Sequence, residues 1–171
     1  MPGVDLALVR EVLSGLPVAD GAATPIDPRP FLMPAPLDYE DESVDPITAS
    51  LARAAMQVVA SSGLEAATLM RVCRAARVTT GAAAPRFASL RELHRFTFDQ
   101  ALEQVVLGNA AIANDLINVP PVDAQVAFAR GALAPNRQLW RRYRQEMAVA
   151  ACHDAEIATM MRESFDRTNR S

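Results

Sequence analysis

Proline divides this chain before any other feature does. Seven of its twelve prolines fall between residues 17 and 46, and from Ile47 to Val119 the only one is Pro85. A proline inside a helix removes an N–H and collides with the carbonyl four residues earlier. The first stretch is therefore barred from regular helix, and the second is open to it. The proline-dense stretch, which runs into the acidic tract DYEDESVD (residues 38–45), predicts an extended linker over residues 17–46. Within it, PFLMPAPL (residues 30–37) is apolar enough to lie along a groove. Ahead of it, Val4, Leu8, Val9, Val12 and Leu16 recur at helical spacing and predict a short amphipathic helix over residues 4–16.

Beyond residue 46 the apolar rhythm predicts helices at about 47–61, 68–75, 79–86, 89–117, 123–133, 135–151 and 154–169. Their ends are punctuated by residues suited to ends. Pro46 and Pro135 fit first turns, where the missing N–H costs nothing. Gly63 stands where a left-handed residue closes a helix. Thr68, Ser89 and Asp154 are N-cap residues, and Pro120-Pro121 stop the long fourth helix. Only 5% of residues are aromatic and alanine carries much of the apolar count. That composition suits closely packed helices, so the expected class is all-α.

Charge is unevenly distributed. The whole chain carries −3. Residues 1–46 hold two Arg against nine acids, net −7; residues 47–98 hold seven Arg against Glu65 and Glu92, net +5; the remainder is −1. A basic middle on an acidic whole fits a nucleic-acid-binding segment on a neutral body, and equally an ordinary variation of surface charge. Cys73 and Cys152 have neither disulfide-framework nor metal-ligand spacing. No apolar run approaches the roughly 18 residues of a membrane span, and no basic leader opens the chain, so a cytoplasmic protein is expected. His94 and His153 lack acidic partners at ligand spacing and are expected at the surface or at helix ends. Gly-rich phosphate loops, nucleophile elbows and metal motifs are missing from the sequence, so neither catalysis nor a cofactor nor a metal is expected.

Residues 51–94 read LARAAMQVVASSGLEAATLMRVCRAARVTTGAAAPRFASLRELH. The pair Ala54-Ala55, then Gly63, Thr68, Val78, Gly81, Phe87, Ser89 and Leu93 fall at fixed spacings. Without a gap they resemble the DNA-binding head of tetracycline-repressor-type (TetR-type) transcription regulators. The resemblance implies a three-helix helix-turn-helix head over 47–95 and a helical body over 96–171. It also implies double-stranded DNA as partner, a homodimer, and a small-molecule effector held in the body. Small residues at Ala54, Ala55, Cys73 and Ala76 would let the helices approach. Val58, Val59, Leu69, Val72 and Val78 would fill the space between them, and Phe87 would plug the core. Carried over position by position, Thr68 would cap the second helix and touch a phosphate. Thr79, Thr80 and Gly81 would open the recognition helix against DNA. Arg86 would contact a phosphate or base, with Arg71, Arg74 and Arg91 adding phosphate contacts.

The departures lie in the same stretch. Arg77 replaces the turn glycine, Ala84 the phosphate-clamping tyrosine, and Leu90 the lysine that opens the fourth helix; Pro85 stands inside the recognition helix. Base readout relies on forked donors and acceptors such as Arg, Asn or Gln, and GAAAP at 81–85 has none.

In the body, Trp140, Tyr143 and Met147 share a helical face and, with Phe98, are either an effector pocket or ordinary core. Phe96, Leu102, Phe128, Leu133, Leu139, Ile157, Met160, Met161 and Phe165 are further core candidates. Arg137, Arg141, Arg142 and Arg144 form either an acidic-effector site or a solvated face. The family's long terminal dimer helices have no counterpart in the 77 residues after His94. The last residues, RESFDRTNRS, break off in a helical pattern, and a truncated chain or the second half of a tandem protein is expected. In the tandem case residues 1–16 would end a preceding body. Two functions follow: an effector-controlled operator-binding regulator, or a helical interaction and dimerisation module with a degenerate head.

Overall fold

The computed structural model describes residues 44–170. The expectations for the helix over 4–16, for PFLMPAPL and for the linker up to residue 43 lie outside the described residues. Seven α-helices and no strand occur among the described residues, an all-α fold. They are α1 (Pro46–Ser62), α2 (Leu69–Ala76), α3 (Thr80–Ala83), α4 (Leu90–Asp115), α5 (Pro121–Ala132), α6 (Gln138–Ala151) and α7 (Ala155–Thr168). A 3-10 turn, Pro135–Arg137, leads into α6.

The expected caps form. The Thr68 hydroxyl accepts from the Arg71 N–H at 3.3 Å, and the Ser89 hydroxyl from the Glu92 N–H at 3.1 Å. Glu92 in turn accepts from the Ala88 N–H at 2.6 Å. Asp154 accepts from the amides of Glu156 and Ile157. Gly63 closes α1 with φ +81° but an extended ψ of 163°, so its positive φ is as expected and its conformation is not left-handed helical.

Helix α1 lies at the centre, against α2, α3, α4 and α6. Leu51, Ala52, Ala55, Met56 and Val59 are at most 1% exposed, so the helix is buried around most of its circumference. Three alanines (Ala52, Ala54 and Ala55) let neighbouring backbones come close. Helix α7 packs on α4 and α6, and α5 has one substantial neighbour, α4. A single cluster of buried side chains runs from Leu51 through Phe98 to Met161. The boundary drawn at residue 95 falls inside α4, and core residues come from both sides of it.

Cys73, Val58, Val59, Val72 and Phe87 are buried as expected, with Phe87 set 5.5 Å from Phe96, centroid to centroid. Two core candidates are not core: Phe128 is 37% and Leu133 66% exposed. Inward positions on α5 are taken by Ala127 and Gly131 instead, because Phe128 and Leu133 fall off the helical stripe that faces α4. The arginine face also divides. Arg142 and Arg144 are exposed, whereas Arg137 is buried with Nη1 donating to Asn109 Oδ1 at 2.7 Å. Arg141 donates to the carbonyls of Ala132 and Ala134, where α5 ends and its acceptors lack helical partners.

His94 departs from its expected place. It is 6% exposed within α4, and neither ring nitrogen has a hydrogen-bond partner. Burial penalises the imidazolium and pushes its pKa down to about 4. His153 lies just past the end of α6 and is exposed, as expected.

Two outcomes follow from this packing. Truncating Phe87 to Ala should cost about 3–5 kcal/mol in urea unfolding, because the ring is buried and its space cannot refill; a loss below about 1 kcal/mol would contradict that burial. His94 sets an acid dependence. The unfolded chain binds the imidazole proton below pH ~6.5, and the folded chain only near 4. Stability is therefore full above pH 6.5 and falls as pH drops toward 4, by about 2 kcal/mol at pH 5. Urea unfolding at pH 7 and pH 5 should show that loss, and His94→Gln should remove it.

Candidate nucleic-acid interface

The residues singled out for DNA contact lie on α2, α3 and the turns around them. Between Ala76 and Thr80 stand three residues, Arg77, Val78 and Thr79. The Val78 N–H reaches back to the Cys73 carbonyl at 3.0 Å, and the Arg77 N–H to that of Arg74 at 3.1 Å. This pair of bonds closes a helix end only if the residue after it turns left-handed. Arg77 does so, with φ 57° and ψ 35°, the single non-glycine positive φ among the described residues. Glycine is the usual occupant, since an L side chain costs about 1 kcal/mol there. The anchor that holds it is Val78, packed against the core.

Thr79 starts the next helix, its hydroxyl accepting from the Ala82 N–H at 3.2 Å. The helix it starts is four residues long, not the eight expected over 79–86. Pro85 explains the early end. It has no N–H to give the Gly81 carbonyl, and the Arg86 N–H bonds to Ala83 rather than to Ala82. The Ala82 carbonyl is thereby left open, and Arg86 Nη1 fills it at 2.7 Å. Thr79, Thr80, Gly81, Ala84 and Pro85 are all exposed. At Gly81 an added Cβ would meet nothing nearer than the Thr79 hydroxyl at 3.8 Å. The fold itself does not need glycine there, and the surface in front of it is open.

Four arginines were expected on phosphates, and three are engaged with their own chain. The Arg86 fork grips Asp45, with Nε at 2.6 Å and Nη2 at 3.1 Å from its carboxylate oxygens. Asp45 is also the N-cap of α1, accepting from the amides of Ile47 and Thr48. The Arg86 guanidinium and these donors hold the Asp45 carboxyl far below the usual carboxylate range, and Arg86 is raised in return. Arg71 donates to the Ala66 carbonyl and to the Ser62 hydroxyl. Arg91 pairs with Glu156 and, at 3.6 Å, with Asp154 at the start of α7. Leu90 beside it is half-buried against the core. Arg74, the fourth, is exposed on α2, and so is Arg77. Asp45 is the residue that sequence reasoning missed. Its signal was legible: an acidic residue directly before Pro46 is an N-cap, and an N-cap carboxylate has a second oxygen to offer.

The expected effector-pocket residues do come together, as filled core. Phe98, Trp140, Tyr143 and Met147 are 0–4% exposed. Phe98 lies 5.6 Å from Trp140, 6.3 Å from Tyr143 and 5.8 Å edge-on from Phe165, between ring centroids. The Tyr143 hydroxyl donates to the His94 carbonyl at 3.3 Å, and burial raises its pKa well above that of a free phenol. Of the two expected readings of these four residues, this geometry is that of core. An open groove of about 560 Å³ lies elsewhere, between the first turn of α4 and α7, lined by Arg91, Arg95, Glu92, Glu156 and Thr159 among others. Its arginines are already paired, Arg95 with Glu163 at 2.9 Å.

Among the described residues there is no cluster of three or more potential metal ligands, and no helix is long and apolar enough to cross a membrane. Comparison with protein-family models and with curated proteins finds no match for this chain.

The turn supplies the test. Arg77→Gly should raise stability by about 1 kcal/mol in urea unfolding, since glycine takes the left-handed conformation without strain. No gain, or a loss, would mean that the Arg77 side chain contributes more than its backbone costs.

Proposed function

We propose that this chain is a TetR-like regulator whose head holds duplex DNA mainly through its phosphates, with little reading of base sequence. One observation carries the proposal. Two capped helices, α2 and α3, are joined by a three-residue turn and expose Arg74, Arg77, Thr79, Thr80 and Gly81 together, the joint of a helix-turn-helix. The DNA-facing helix is four residues long and bears no forked side chain. Hydroxyls, amides and arginines of this kind bind phosphate oxygens, which positions a protein without specifying a sequence. Phe98, Trp140, Tyr143 and Met147 leave almost no surface for an effector, so the proposal is confined to DNA.

A second reading, a helical interaction module with a vestigial head, draws on a different observation: Arg71, Arg86 and Arg91 are turned onto their own chain. Salt dependence separates the two. Fluorescence anisotropy with labelled duplex should give micromolar-range binding at about 50 mM salt that weakens steeply with added salt. Arg74→Ala should flatten the slope of log K against log salt by about one unit. Asp45→Asn keeps an N-cap side chain while releasing Arg86, and should tighten binding severalfold. Absence of salt-sensitive binding at low ionic strength would discard the DNA reading in favour of the interaction module.

A further inference from the structure

Arg137 is a cation that this fold buries without an acid beside it. It ends the 3-10 turn that leads into α6 and is 3% exposed. Its Nη1 donates to Asn109 Oδ1, a neutral acceptor on α4, at 2.7 Å. Among the described residues Nε has no hydrogen-bond partner, and no carboxylate answers the charge. Arg141, one turn further along, adds a second positive charge nearby. It too donates to neutral groups, the carbonyls of Ala132 and Ala134 where α5 ends. Burial and this neighbour both push the Arg137 pKa down, yet a guanidinium keeps its proton in a protein. A buried charge left uncompensated is strongly destabilising, and a well-packed apolar side chain in the same corner would avoid the cost. A buried polar group left without a partner points to an ion or a water that completes it.

We propose that this corner, where α4, α5 and α6 meet, binds a small oxyanion, a carboxylate or a phosphate, on the Nε–Nη2 edge of Arg137. That edge presents two parallel N–H groups, spaced to meet two oxygens of one anion. The bond from Nη1 to Asn109 fixes the plane of the guanidinium, so the edge is set before the anion arrives. One anion answers both arginines, which is the arrangement that two cations without an acid call for. Asn136 and Gln138, on either side of Arg137 in the chain, are exposed, so the site lies one side chain below the surface. It is separate from the aromatic core of Phe98, Trp140, Tyr143 and Met147. Its role is structural: the anion neutralises the corner that ties the end of α5 to α4 and α6, and this stands independently of DNA binding.

Thermal unfolding of the full chain at pH 7 and constant ionic strength tests it, with chloride as the background salt. Replacing chloride by about 20 mM inorganic phosphate, or by about 20 mM acetate, should raise the melting temperature by roughly 3–6 °C with at least one of the two. Arg137→Met keeps the length of the stem and loses the charge, and should respond to neither. Arg137→Lys keeps the charge without the fork, and its apparent affinity for the oxyanion should fall at least tenfold. Arg74→Ala with Arg77→Ala should respond as the parent does, which separates this site from phosphate held by the head. A parent that responds to neither oxyanion, or an Arg137→Met that responds as the parent does, overturns the proposal. If Arg137→Met fails to fold, Arg137→Lys decides, and an unchanged affinity in it overturns the site.

Discussion

The close approach of four helices to α1 is the constraint on which the rest of the fold hangs. Ala52, Ala54 and Ala55 are 0–3% exposed, and each faces a neighbour that a larger side chain would displace. Interiors are packed to crystal density, so an added methylene there forces backbone shifts rather than filling slack. Because α2 and α3 rest on the same helix as α6, the joint between Ala76 and Thr80 is fixed relative to the aromatic cluster by shared packing rather than by a linker. Whatever surface the joint offers is thus offered in one geometry.

Much of this was legible from local chemistry. Thr68, Ser89 and Asp154 cap where short side-chain acceptors precede apolar periodicity, because a helix start leaves N–H groups that only such residues satisfy. Periodicity located the helices, since each buries one stripe against α1 or α4. What escaped depends on contacts distant in sequence. His94 falls on the buried stripe of α4 with Leu93, Thr97 and Phe98, and its polarity concealed that position. Phe128 and Leu133 are apolar enough for core, but which stripe of α5 faces inward is set by its docking on α4, a contact that the local sequence does not show. The shortness of α3 was half-visible: Pro85 signals a break, but not that Arg86 would close the gap with its own side chain.

Charge was the least transferable signal. The +5 of residues 47–98 is a property of the string rather than of the surface. Asp45, Glu156 and Glu163, all outside that segment, each sit on one of its arginines. Three of the segment's seven arginines are therefore matched at short range by acids from outside it, and the field beyond a Debye length is correspondingly weaker. A basic segment advertises nucleic acid only where its folded neighbours leave the charge unanswered. Here that condition is met at Arg74 and Arg77, on either side of the turn.

The slender attachment of α5 has a consequence for how the molecule breathes. Its apolar link to the rest is a small cluster of Ile112, Leu116 and Ala127, separate from the main core, and Arg141 holds its last carbonyls. Peeling α5 from α4 would uncover little apolar surface, so the motion costs far less than global unfolding and follows its own equilibrium. The chain then behaves as two cooperative units of unequal depth. The deep one is built on α1, and the shallow one opens and closes many times for each time the whole molecule melts. Amide hydrogens of residues 121–132 would exchange through that shallow opening, and among the described residues a protease would find a foothold there.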